Sequence, residues 1–77
     1  MSDIENITEN IGVLIRIRRK RLGMTQLDVA EISGVQRQTI GRLESGSDAV
    51  TVAILARIAA AVGLDLVVKP RYDHGRS

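Results

Sequence analysis

Cysteine is missing from the 77 residues, and so are tryptophan and phenylalanine. Without thiols there is no disulfide framework and no thiolate metal site, which suits a reducing cytoplasm. Tyr72 is the only aromatic residue, so single-stranded nucleic acid has no stacked platform to bind on. His74 is the only histidine and stands in a polar tail, where alone it makes no metal site. No glycine-rich phosphate loop and no nucleophile with a nearby base is visible. The chain therefore does not read as an enzyme, and no metal or cofactor is expected. No apolar stretch approaches a membrane span. The start, Met1-Ser2-Asp3-Ile4-Glu5, is acidic and lacks the basic-then-apolar order of a signal peptide. These absences point to a cytoplasmic protein without a membrane partner.

What is present fits one domain, since 77 residues leave no room for two cores. A core this small is marginal alone, and association with a second copy is a common remedy. The net charge of +2 says little, but its distribution is uneven. Residues 1–15 carry Asp3, Glu5 and Glu9 and no base, while residues 16–42 sum to +5. The positive band is built by Arg16, Arg18, Arg19, Lys20, Arg21, Arg37 and Arg42. A basic band beside an acidic start is a footprint for a polyanion. Taken alone, a basic run is more often a solvated helix face; this one gains weight by preceding a pair of helices.

The chain divides into a flexible tail over 1–7, a helical domain over 8–63, a strand over 64–70 and a flexible tail over 71–77. Thr8 can cap a first helix, with Ile11, Leu14, Ile15, Arg18 and Leu22 at helical spacing and Gly23 as its stop. Thr25 caps a second helix, with Asp28 at the capping-box position and Val29, Ala30 and Ser33 inward. Gly34 takes the turn. A third helix spans about 36–45, with Gln36 a poor cap and Ile40 and Leu43 pointing back. Residues 45–50 form a loop. Thr51 caps a fourth helix that runs to Val62, with Val52, Leu55, Ala56, Ala59 and Val62 inward and Gly63 as its stop. Leu64-Asp65-Leu66-Val67-Val68-Lys69 is rich in valine and closed by Pro70, so it reads as a strand. A lone strand needs a partner for its N–H and C=O groups, and the same strand of a second copy, or its own domain, can supply one. Leu64, Leu66, Val67 and Val68 are its candidate dimer contacts.

The window 26–45 carries the chemistry. Two short helices fold at Gly34, and the second presents Arg37, Gln38 and Arg42 on its free face. Arginine can bond guanine through two N–H groups, and glutamine can do the same with adenine. Gln26 opens the second helix, where an amide beside free backbone N–H groups suits a phosphate.

Residues 11–63 resemble the helix-turn-helix family of phage-repressor type, also called XRE-like. The resemblance rests on Gly23-Met24-Thr25-Gln26, Ala30, Gly34-Val35, Ile40, Leu43-Glu44 and Gly46. Ile15-Arg16-Ile17-Arg18-Arg19-Lys20-Arg21-Leu22-Gly23 and Gly63-Leu64-Asp65-Leu66-Val67-Val68-Lys69-Pro70 look like a narrower group, the HipB-like antitoxins encoded beside HipA-type kinase toxins. The resemblance implies an all-α fold, a compact bundle of four or five helices, here with one short C-terminal β-strand pairing across a homodimer. It implies that Gln26 contacts a phosphate and that Arg37 and Gln38 touch bases. Arg42 reaches a base or a phosphate, Gln36 and Thr39 are secondary contacts, and Thr25 is mostly a cap. It also implies an ion pair between Arg19 and Glu44 that fixes the third helix against the first. Leu27 stands where the family usually has an acid, and Ser33 where alanine is common.

The expected function is a sequence-specific repressor that binds double-stranded operator DNA as a homodimer, as the antitoxin of a HipBA-like operon with a HipA-like kinase toxin as partner. Two alternatives stay open: a phage or restriction-system controller without a toxin, and a protein-interaction module that has lost DNA reading.

Overall fold

Ile4, Ile7 and Ile11 repeat at helical spacing, and neither glycine nor proline interrupts residues 3–11. The computed structural model accordingly starts α1 at Asp3 and runs it through Arg21. Thr8 therefore lies inside α1 and does not cap it, and helix replaces the flexible tail expected over 3–7. The described residues are 3–46 and 50–70, with side chains from residue 10 onward. The tail expected over 71–77 and residues 47–49 of the loop expected over 45–50 lie outside them.

Three more helices follow: α2 over Gln26–Ser33, α3 over Arg37–Ser45 and α4 over Val52–Ala61. The capping box of α2 forms as read. The Thr25 hydroxyl accepts from the Asp28 N–H at 3.0 Å, and the Asp28 carboxylate accepts from the Thr25 N–H at 2.8 Å. Thr51 caps α4 by accepting from the Ile54 N–H at 3.1 Å. Gln36 stands at the N-cap of α3 and makes no side-chain cap bond.

α1 packs on α3, and α2 packs on both α3 and α4. Ile15, Val29, Ile40, Leu43, Ile58 and Val62 are fully buried at the centre. Full burial of one such aliphatic side chain is worth about 1.5–3 kcal/mol. Gly12 is buried where α1 crosses α3, and a β-carbon there would come 2.0 Å from the Leu43 carbonyl oxygen. The two helices thus meet backbone to backbone, a contact the sequence reading missed.

α4 turns Leu55, Ala59 and Val62 to the core as expected, but not Val52 or Ala56. Val52 is 70% exposed and Ala56 is exposed, whereas Ile58 is fully buried beside Ala59 and Val62. Leu14 and Leu22 of α1 likewise remain about half exposed. In the single chain residues 64–70 carry no regular secondary structure, and no described residue is in a strand. A strand is defined by its ladder, and the ladder expected here joins two copies. Leu64 packs on the core and donates its N–H to the Ala59 carbonyl at 2.9 Å, whereas Val67 and Val68 are exposed.

Candidate nucleic-acid interface

The turn between α2 and α3 sets the site. Gly34 adopts φ +72°, a left-handed conformation that a residue without a β-carbon takes with least strain. The N–H groups of Gly34 and Val35 both donate to the Ala30 carbonyl, at 2.9 and 3.2 Å. Ser33 returns its hydroxyl to the Val29 carbonyl at 2.7 Å, which satisfies a buried polar group. Val35 then plugs the core. The chain leaves this turn pointed so that Ile40, Leu43 and Glu44 of α3 face inward. The first turn of α3 consequently projects outward, with Gln36, Arg37 and Gln38 exposed, Thr39 half-buried and Arg42 exposed one turn on.

A buried ion pair anchors α3 to α1, as the family resemblance implies. Arg19 Nε donates to Glu44 Oε2 at 2.7 Å and Arg19 Nη2 donates to Glu44 Oε1 at 2.9 Å. Arg19 Nη1 also donates to the Met24 carbonyl at 2.9 Å, which ties in the residue before Thr25. The hydrogen bond to Glu44 raises the Arg19 pKa against the opposing effect of burial. Burial alone would raise the Glu44 pKa. The hydrogen bonds from Arg19 and Gln26, with the charges of Arg19 and Arg16, hold it below the usual carboxylate value.

Gln26 extends this pair to the surface. Its Nε2 donates to Glu44 Oε1 at 3.2 Å, and its Oε1 accepts from Arg37 Nη1 at 2.9 Å. Arg19, Glu44, Gln26 and Arg37 therefore form one hydrogen-bonded chain from the buried face of α1 to the exposed start of α3. Gly41 lies under Gln26, and a β-carbon there would meet Gln26 Oε1 at 3.5 Å, an ordinary contact. The chain's internal links are not legible from spacing, because residues 18 positions apart meet only through the turn. Gly12 could have been found: it falls seven residues before Arg19 on the same helical face.

The basic band of α1 is partly structural. Arg19 is in the ion pair, and Arg18 Nε donates to the Val62 carbonyl at 3.2 Å, closing the end of α4. Arg16, Lys20 and Arg21 stay exposed. The dimer-strand residues Leu64, Leu66, Val67 and Val68 are not drawn into the site. No cluster of potential metal ligands occurs among the described residues. No helix among them is long and apolar enough to cross a membrane.

Two helices locked at a glycine, the second showing arginine and glutamine beside the N-terminus of the first, make this a helix-turn-helix DNA-binding domain. The chain belongs to the helix-turn-helix family of XRE type, whose profile matches residues 15–68. It is 50% identical over 50 residues to an uncharacterised helix-turn-helix type transcriptional regulator of Methanothermobacter thermautotrophicus, covering 65% of this chain and 72% of that one. Among solved structures it is similar to the restriction-modification controller protein C.AhdI of Aeromonas hydrophila. The TM-score is 0.72 at 25% identity, over 78% of this chain and 91% of that one. A DNA-binding transcriptional regulator is the function these likenesses share with the geometry.

Proposed function

We propose that the chain is a sequence-specific repressor that binds its own promoter as a homodimer and acts by occupancy, without catalysis. The observation that carries this reading is the outward first turn of α3, where Arg37 and Gln38 are exposed beside the N-terminus of α2. Arg37 spends one N–H on Gln26, and a guanidinium has five, so a guanine edge can still be bonded twice. Gln38 suits adenine. Gln26 and Thr25 lie at the start of α2, where backbone N–H groups without intrahelical acceptors favour a phosphate. Arg42 reaches the next base or the backbone, and Gln36 and Thr39 make secondary contacts.

A band-shift titration tests it. Binding to the promoter upstream of the chain's own gene should exceed binding to random DNA by about 10³ at physiological salt. Equal binding to both would leave a protein-interaction module.

The setting of the repressor admits two forms with one DNA mechanism. The basic segment 15–23 and the ending 63–70 support a HipB-like antitoxin, paired with a HipA-like kinase toxin. The likeness to C.AhdI supports a phage or restriction-system controller without a toxin. Co-expression with the product of the adjacent reading frame separates them: an antitoxin co-purifies with a kinase-like neighbour, and a controller does not.

A further inference from the structure

Val13, Leu14 and Ile17 leave 52%, 49% and 50% of their surfaces in water. α1 touches α3 through Gly12 and Arg19. Each helical residue turns by about 100°, so these three aliphatic side chains lie on the side of α1 directed away from α3. Such a cluster, at helical spacing on a 19-residue helix, is a seam for a second helix. The same helix is divided by charge. Its first half carries Asp3, Glu5 and Glu9, and its second half carries Arg16, Arg18, Arg19, Lys20 and Arg21. Arg18 and Arg19 are held within the domain, but Arg16, Lys20 and Arg21 are exposed. A helix with an acidic end, an apolar middle and a basic end complements itself when turned end for end.

We propose that α1 of one copy packs antiparallel on α1 of a second copy about a two-fold axis, with Val13, Leu14 and Ile17 at the seam. A two-fold interface requires one surface to fit itself, and the charge division meets that requirement; parallel packing would set acid on acid and base on base. The proposal rests on the repressor reading and supplies its geometry. The order α3, α1, partner α1, partner α3 contains three helix-to-helix steps of about 8–10 Å. The recognition helices then lie roughly 24–30 Å apart, near the ~34 Å between half-sites one DNA turn apart. The segment 64–70, with its exposed Val67 and Val68, is the rival seat for the dimer contact.

Sedimentation equilibrium of the full chain without DNA tests the seam. Wild type should be dimeric, and Ile17→Glu should raise the dimer dissociation constant at least tenfold with an unchanged helical circular dichroism spectrum. Should that variant unfold, Ile17→Ala reads the same seam with a smaller weakening of about threefold. Arg21→Glu should weaken the dimer, and adding Glu9→Lys, which the antiparallel seam sets opposite it, should restore part of the loss. Val67→Ser with Val68→Ser should leave the dimer intact. A monomeric wild type, an Ile17→Glu dimer of wild-type affinity, or a dimer lost on changing Val67 and Val68 would overturn the proposal. A wild-type dimer that fails to prefer its promoter in the band shift would instead remove the repressor reading and leave the helix contact standing.

Discussion

At the scale of single residues, Glu44 carries more than any other side chain, because it joins Arg19 of α1 to Gln26 of α2 from its place on α3. Replacing Glu44 with Ala strands a buried guanidinium, at a cost of about 3–5 kcal/mol. Thermal unfolding measures it, and a loss under 1 kcal/mol would show that Arg19 relaxes into solvent. The pH dependence follows from the lowered Glu44 pKa. A carboxylate whose folded value is depressed contributes stability that is fully present above its unfolded value of about 4.3. That contribution is lost as pH falls through the folded value. The melting temperature should hold from pH 7 to about 5 and decline below about 4, with the decline smaller in Glu44→Gln. Arg37→Ala should relax specificity at one base pair and weaken operator binding by ~1–3 kcal/mol. Since Arg37 is bonded to Gln26, the same substitution also frees the amide oxygen of Gln26, so Gln26→Ala and Arg37→Ala should prove non-additive in a double-mutant cycle.

At the scale of elements, legibility in the sequence tracked the sharpness of the pattern. α2 and α3 were readable because each has a start or stop signal and a clear inner face: Thr25 with Asp28, the turn at Gly34, and Ile40 with Leu43. α4 was readable as a helix and misread in part of its facing, at Val52, Ala56 and Ile58. Nine of its ten residues in Val52–Ala61 are apolar, so periodicity could not choose a buried edge. Only Arg57 marked the outside, and it is exposed together with Ala53, Ala56 and Ala60. The segment 64–70 is legible in composition but not in its partner. Valine enrichment reports a fit to a pleated surface, and the pleated surface expected for it is the strand of a second copy. The weak start of α3 gives an element-scale prediction. Gln36 makes no cap bond, and Ser at an N-cap is favoured by about 0.5–2 kcal/mol over residues that cannot cap. Gln36→Ser should raise the melting temperature, and any accompanying drop in operator affinity would count Gln36 among the DNA contacts. Gly41→Ala offers the same separation. It should gain about 1 kcal/mol in helix propensity, because its β-carbon has room beside Gln26.

At the scale of the whole molecule, the site was legible as a list and not as a mechanism. Arg37, Gln38, Arg42 and Gln26 could be placed from type and spacing, but the path that fixes them runs through the Arg19–Glu44 pair and the Gly12 crossing, which depend on tertiary approach. That crossing makes the domain a single rigid reader. At Gly12 the neighbour is the backbone of Leu43, 2.0 Å from an added β-carbon, and backbone cannot swing aside as a side chain can. Gly12→Ala must therefore push α1 and α3 apart, and overpacking of this kind typically costs about 1–3 kcal/mol. The displacement carries α3 with it and stretches the Arg19–Glu44 bonds at the other end of the contact. Operator affinity should fall further than stability alone explains, because both recognition helices of a dimer must meet half-sites at one fixed spacing. The measurement compares the variant, kept well below its melting temperature, on the native operator and on operators lengthened or shortened by one base pair. A fully folded Gly12→Ala protein with native affinity and unchanged spacing preference would show that the domain tolerates the shift and that the crossing does not aim α3.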